Sequence, residues 1–272
     1  MLVNEIQEDM YLLIGETYES NSTLLIKGDQ ALLVDAMASR ADAEKLQEFV
    51  ERELKKDVRF VVCTHFFSDH LAALNLFPSA AVIAHEDYLI TFNSELYRSK
   101  EEEAHFREPD ILISDKMQLR WGRHTLDIFY NPGHTSSTLS IDIKEANLLL
   151  VGDTLVGNIV YLVYSTPQRF SFALERLKKR QRGHVISSHG KVRSSEAIGN
   201  AEHYLKRLAE RTNKARASAP GGQSLLETPL ESCLPEGVEA TPFEKIFHQR
   251  NLRTIVERQL FTPVPGTNAY HI

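Results

Sequence analysis

The stretch Thr64-His65-Phe66-Phe67-Ser68-Asp69-His70 follows the apolar run Phe60-Val61-Val62-Cys63. A run of that kind, bounded by turn residues, reads as a buried strand. Two histidines and an aspartate therefore gather within six residues at the strand's end. One histidine in an apolar region is usually a packed, satisfied side chain, so a site needs further convergent groups.

Those groups recur downstream. Asn131-Pro132-Gly133-His134-Thr135 follows the strand pattern over 126–130, and Pro and Gly punctuate a tight loop that ends in His134. Leu148-Leu149-Leu150-Val151 runs into Gly152-Asp153, and His184-Val185-Ile186 leads into Ser187-Ser188-His189-Gly190. Four strands thus end in a His or Asp beside turn residues. Imidazole and carboxylate are the usual ligands of zinc and of non-haem iron or manganese, and they must be held on rigid elements. Strands ending at one edge of a sandwich do that. Two such ions sharing a carboxylate would make hydroxide available near neutral pH.

The remaining segments supply a scaffold. Residues 10–15 and 22–27 read as strands, and Gly28-Asp29 makes a turn into Gln30-Ala31-Leu32-Leu33-Val34-Asp35, with Asp35 at a strand end. Ala43, Leu46, Phe49, Val50 and Leu54 are spaced for a helix over 39–56, with Ser39 as its cap. Strand, helix, strand in that order implies a crossover with the helix lying on the sheet. A short helix over 71–77 ends at Pro78, and a strand over 81–84 delivers His85. That histidine either stands at the mouth of the site or is a surface residue capping the helix over 86–93. Charged residues dominate 95–108, expected as an exposed helix or lid. Strands follow at 111–117, 119–121 and 124–130. Helices are expected at 168–182 and 194–216, then a linker at 217–224. Two more helical stretches, 225–233 and 242–261, precede a tail at 263–272. His248 is expected as an exposed helix residue.

Composition sets bounds. The 272 residues are long enough to bury a sizeable core, and 42% hydrophobic with 25% charged is ordinary for a soluble globular chain. A net charge of -6 and a pI near 6.0 weigh against a nucleic-acid partner. No apolar run approaches the roughly 18 residues of a membrane helix, and the first nine residues are acidic where a signal peptide is basic. Two cysteines, Cys63 and Cys233, make no disulfide framework, so a reducing, cytoplasmic setting is expected.

The order of these motifs resembles the metallo-β-lactamase superfamily, whose hallmark reads His-x-His-x-Asp-His, followed by a single His, a bridging Asp and a last His. His65, Asp69 and His70 match the hallmark, and Pro132-Gly133-His134-Thr135, Gly152-Asp153 and Ser188-His189-Gly190 match the later loops. Asp35 matches the family's early strand-end aspartate. The resemblance implies an α/β fold, an αββα sandwich over residues 1–195, with a C-terminal helical extension over 196–272 like that of glyoxalase-II-like members. It also implies one or two divalent ions, zinc first, with iron or manganese as alternatives.

One position departs from the hallmark. Phe67 stands where the middle histidine belongs, and its ring offers no lone pair. The resemblance assigns Asp69, His70 and His189 to one complete ion site, with Asp153 bridging. The other keeps only His65, His134 and Asp153. The first expectation is a hydrolase of an ester, thioester or lactone that works by metal-hydroxide attack oriented by Asp69 or Asp153. The second is a mononuclear Fe(II) enzyme like the sulfur dioxygenases, using the facial set His65, His134 and Asp153. The third is a non-catalytic relative that binds metal or ligand. The expected partner is a small-molecule substrate, with no nucleic acid and no membrane, and the C-terminal segment is a candidate homodimer contact.

Overall fold

Alternating side-chain direction along a strand decides what each face buries. In Met10–Ile14, Leu12 and Leu13 are both buried but enter different clusters, because adjacent residues face opposite sides. The computed structural model describes residues 1–218 and 223–262. Part of the expected linker and the whole expected tail lie outside the described residues. The chain folds as two compact units. One comprises residues 1–131, 136–152 and 182–192; the other comprises 132–135, 153–181 and the described residues from 193 onward.

The first unit carries two sheets. The seven-stranded one runs in sequence order through β1 (Leu2–Gln7), β2 (Met10–Ile14), β3 (Asn21–Lys27), β4 (Gln30–Val34), β5 (Asp57–Val62), β6 (Ala81–His85) and β7 (Ile111–Ile113). Its first four strands pair antiparallel, β1 with β2 and β3 with β4 across two-residue turns and β2 with β3 across residues 15–20. From β4 to β7 pairing is parallel, which requires crossovers. The first crossover contains α1 (Arg40–Gln47), continued by a wider helical turn over Glu48–Glu53. Ser39 caps it as expected, accepting from the Asp42 N–H. Ala43, Leu46, Phe49 and Val50 then pack with Leu13, Leu24, Leu33 and Val61. Because this sheet is covered on both faces, β4 buries Ala31, Leu32, Leu33 and Val34 in succession.

The second sheet runs β12-β11-β10-β9-β8, comprising β8 (Lys116–Trp121), β9 (His124–Tyr130), β10 (Leu139–Ile143), β11 (Leu148–Leu150) and β12 (His184–Ile186). Leu12, Leu25, Leu32 and Val62 of the first sheet meet Leu126, Ile128, Leu139 and Ile141 of the second in one core. The sheets therefore pack face to face. Only β11 and β12 are parallel here.

Several expectations are corrected. β1 and β10 were not expected; both are held by ladder pairing that local sequence does not announce. The helix expected over 71–77 is a single tight turn at Leu74–Leu76, and that over 86–93 is α2 (Tyr88–Ser94). The charged segment 95–108 yields only α3 (Lys100–Glu103), a four-residue helix with a capping box between Ser99 and Glu102. The stretch 225–233 holds tight turns at Gln223–Leu225 and Leu230–Cys233 in place of a helix.

The second unit carries α4 (Pro167–Lys178), α5 (Glu196–Ser218) and α6 (Pro242–Glu257), close to the expected helices. Pro167 and Pro242 sit in the first turns behind Thr166 and Thr241 caps. His248 is buried, contrary to expectation. Its Nε2 faces the Thr228 carbonyl at 2.9 Å and so carries the hydrogen, which leaves Nδ1 to accept from the Tyr204 hydroxyl at 2.9 Å. Asn251 Nδ2 donates to that same hydroxyl at 3.0 Å. Burial pushes the Tyr204 phenol far up and the His248 imidazole down, so both stay neutral.

Candidate metal centre

The end of β5 is pinned from the neighbouring strand. Asp35, just past β4, has a left-handed backbone with φ 60°, which Asp tolerates better than most residues. Its carboxylate accepts from the Thr64 N–H at 2.7 Å, the Thr64 hydroxyl at 2.8 Å and the Ser188 hydroxyl at 2.6 Å. Burial raises the Asp35 carboxyl, against the nearby His70 charge and these hydrogen bonds. Because the Thr64 hydroxyl hydrogen goes to Asp35, His65 Nδ1, 3.1 Å from Thr64 Oγ1, is the donor there. Nε2 of His65 then carries the lone pair. Phe67 is buried and sets its ring edge-on to His65 at 5.3 Å, filling space without offering a ligand atom.

Past Phe67 the chain makes one tight turn, Ser68–His70. Asp69, His70 and His189 present ligand atoms that all lie within 4.8 Å of one another. Asp69 Oδ1 stands 3.3 Å from His70 Nε2, and Asp69 Oδ2 stands 3.6 Å from His189 Nε2. His189 Nδ1 lies 2.9 Å from the Tyr18 carbonyl, so it carries the hydrogen and a neutral Nε2 is an acceptor. An acceptor nitrogen thus faces a carboxylate oxygen, an arrangement that a bound cation satisfies. Two imidazole nitrogens and one carboxylate, with the His189 ring oriented by the Tyr18 carbonyl, are a donor set suited to a divalent ion. The residues present fit the group that the fold implies.

Residues 18–21, which sequence reasoning passed over, hold this set together. The Asn21 N–H donates to Ser188 O at 2.9 Å, and Asn21 Nδ2 donates to Ser187 O at 2.8 Å and Gly190 O at 3.0 Å. The Gly190 N–H returns to Glu19 O at 2.9 Å, and the Ser20 hydroxyl donates to Asp69 O at 2.7 Å. Tyr18 and Glu19 reach these positions with φ of 56° and 52°, a conformation that no local glycine announces. On the other side of the ligand turn, Glu95 and His105 grip Ser68. Burial raises the Glu95 carboxyl and the Asp69 charge adds to this, while the Ser68 hydrogen bonds and Arg98 oppose it. His85 is buried and stacks on Tyr130 at 4.3 Å. Its Nδ1 accepts the Asp87 N–H at 3.0 Å just ahead of α2, whose start has no side-chain cap, so His85 is neither a surface residue nor the helix cap.

The other two expected ligands belong to the second unit, and both are buried. Asp153 stands in the kinked turn Gly152–Thr154 after β11. Gly152, which delivers the chain to it, needs its φ of 57° and has no room for a side chain, since a Cβ would lie 3.0 Å from Thr64 Cβ. The His134 ring lies nearly parallel to Tyr161 at 6.0 Å and edge-on to Tyr164 at 5.9 Å. The segment carrying both tyrosines is held by one stripe of α6. Glu244 accepts the Asn158 N–H at 2.6 Å, and Asn251 accepts the Leu162 N–H at 2.7 Å and donates to Val160 O at 2.7 Å. Arg258 donates to Val163 O at 3.0 Å. Gly157 makes room for this, because a Cβ there would meet Glu244 Oε1 at 2.2 Å.

Comparison with known proteins agrees with the geometry. Residues 15–195 match the family described as the metallo-beta-lactamase superfamily, and the chain belongs to it. The metallo-beta-lactamase type 2 of Bacillus sp. (strain 170) is 25% identical over 185 residues, covering 65% of this chain and 69% of that protein. A probable metallo-hydrolase of Methanocaldococcus jannaschii is 28% identical over 222 residues, covering 70% of this chain and 97% of its own. Among solved structures, a metallo-beta-lactamase from Pontibacter korlensis superposes with a TM-score of 0.60 at 18% identity, covering 73% of this chain and 95% of that one. At that identity the likeness shows the fold alone, a mixed α/β metallo-β-lactamase architecture, to which this chain adds the C-terminal helices α5 and α6. Divalent metal binding follows from the fold and from the ligand-capable residues in it.

Proposed function

We propose that this protein is a metal-dependent hydrolase of a small ester, thioester or lactone. The observation that carries the reading is the convergence of Asp69, His70 and His189, with His189 Nδ1 tied to Tyr18 O so that Nε2 faces inward. These three residues would hold one ion tightly, zinc being the first choice for a set of two imidazoles and one carboxylate. His65, His134 and Asp153 are the proposed ligands of a second, weaker site, and Asp153 is also the proposed bridge. A divalent ion bound there acidifies water and polarises an acyl oxygen. The chain's own contribution is orientation. The Asp69 carboxylate keeps 25% of its side chain exposed beside two buried imidazoles, placed to accept a hydrogen bond from attacking water, and Asp153 is the second candidate for that role.

The acidic surface supports a small-molecule substrate over a polyphosphate chain. Among the described residues no helix is long and apolar enough to cross a membrane. The two cysteines are free and buried, which supports a reducing compartment such as the cytoplasm.

Phe67 favours a second reading. Its ring lies against His65 and offers no ligand atom, which leaves room for the alternative that the family resemblance implies, a mononuclear Fe(II) enzyme like the sulfur dioxygenases with His65, His134 and Asp153 as its proposed set.

One experiment separates the two. Protein purified without chelator is assayed for metal content, then for hydrolysis of a panel of thioesters and lactones and for Fe(II)-dependent oxygen uptake with a persulfide. The hydrolase reading expects about one tight zinc per chain and turnover lost in chelator and regained with zinc. Full activity retained by His70→Ala and His189→Ala, with His134→Ala dead, would transfer the site to the oxygenase.

A further inference from the structure

Ser68 stands between the buried aromatic pair Phe66-Phe67 and the first ligand, Asp69. Its N–H donates to Glu95 Oε2 at 3.1 Å and its hydroxyl donates to Glu95 Oε1 at 2.7 Å, while its carbonyl accepts both from His105 Nδ1 at 3.0 Å and from the Leu71 N–H of its own turn at 3.3 Å. The Glu95 side chain is only 12% exposed, and His105 is 5% exposed. Arg98, 3.8 Å from Glu95 Oε2, seats its guanidinium 3.9 Å over the Phe92 ring and donates to the Phe92 carbonyl, which fixes the base of the grip. Around these buried groups the segment is otherwise exposed, with Leu96 and Tyr97 at 63% and 88%.

Burying a carboxylate and an imidazole costs desolvation that an apolar filler would avoid. Here the cost secures one backbone unit at both its N–H and its C=O, directly before two ligands. The far side of the same turn is held independently, by Ser20 on Asp69 O and by the Ala36 N–H on His70 O at 2.8 Å. Asp69 and His70 cannot swing as a pair while both sides hold. Ligands fixed before the ion arrives lose less freedom on binding it, and residues of this kind set affinity by orienting the groups that touch the ion.

We propose that Glu95 and His105 are positioning residues of the metal centre, which set its affinity by locking the Ser68–His70 turn. The inference rests on the metal reading above and adds residues that touch no ion.

The test compares metal-stripped wild type with Glu95→Ala, Glu95→Gln, His105→Ala and His105→Asn. Cobalt(II) affinity is read by competition with a chromophoric chelator, alongside the visible cobalt spectrum and the metal-free unfolding midpoint. The alanine variants should bind cobalt about 10- to 100-fold more weakly, with an altered spectrum. Glu95→Gln keeps a carbonyl for the Ser68 N–H, and His105→Asn keeps a donor for Ser68 O; both should restore most of the affinity. If Glu95→Ala does not fold, Ser68→Ala stands in, removing one of the two Glu95 bonds. Where both fold, the double variant should bind no more weakly than Glu95→Ala alone, because the two changes break the same bond. Wild-type affinity and spectrum in the alanine variants, with only the midpoint lowered, would mean the grip is structural and overturn the proposal. Conservative variants as weak as alanine would overturn it too. Cobalt binding in the wild type that ignores His189→Ala would defeat the metal reading itself, and the proposal would fall with it.

Discussion

Phe67 is one side chain whose identity governs stoichiometry. It is buried beside His65, where the family hallmark places a ligand. Replacing it with histidine should raise tightly bound zinc from about one to about two ions per chain, measured by elemental analysis after dialysis. An unchanged count would refute the view that Phe67 disables a site. Asp35 offers a test of the support beneath. Asparagine tolerates the same left-handed backbone, so Asp35→Asn isolates the hydrogen bonds. Its amide would turn a donor toward groups that now donate, and the variant should lose about 1–3 kcal/mol in urea unfolding. The ligand-capable residues that the structure gathers were legible in the sequence because each follows a strand and precedes turn residues. Glu95, His105 and Asn21 were not, because their partners lie 27, 37 and about 166 residues away and polar side chains advertise no partner.

At the scale of elements, α1 and α6 carry the clearest tests. Asp42, in the first turn of α1, accepts from Thr17 N–H at 3.0 Å and from Glu16 N–H at 3.1 Å, and the Ser39 hydroxyl donates to it at 3.0 Å. Burial alone would raise its carboxyl, but these donors together bring it below the usual range. The unfolded chain therefore binds this proton more readily than the folded one. The stabilisation is complete above the unfolded carboxyl value near ~3.9 and is lost as pH falls through the lower folded value. Asp42→Asn should flatten the acid limb of a plot of urea midpoint against pH, while a limb as steep as wild type's would show that Asp42 does not set it. Along α6 and its C-cap, Glu244, Asn251 and Arg258 recur every seven residues and read as a polar stripe only once the loop they bind is seen. Asn251→Ala strips the Leu162 N–H and Val160 O of these partners, removes the donor to the Tyr204 hydroxyl, and should cost about 2–4 kcal/mol. Faster hydrogen exchange over 157–165 would accompany it. The helices themselves were foreseen from apolar spacing, whereas β1 and β10 depend on ladder partners that a single strand does not reveal.

For the molecule as a whole, the ion proposed at Asp69, His70 and His189 would be part of the fold's stability. Asp69, His70 and His189 come from stretches 119 residues apart, numbered 70 and 189, yet belong to one unit. An ion held at a hundred times its dissociation constant adds about 2.7 kcal/mol. Chelation should therefore lower the unfolding midpoint by several degrees in calorimetry, and zinc should restore it. The same chelation on His189→Ala should do much less.

The stitching of residues 187–190 onto residues 18–21 also has a meaning in time. A chain emerges from the ribosome N-terminus first, so Asn21, Asp69 and His70 exist long before Ser187, His189 and Gly190. Until β12 has been made and paired beside β11, nothing ties the Tyr18 carbonyl or the Asn21 amide to the last loop. A nascent chain stopped at residue 183 would offer an ion only two of the three proposed ligands. Metal capture at the proposed centre would thus be a late event in synthesis, waiting on the strand that carries His189.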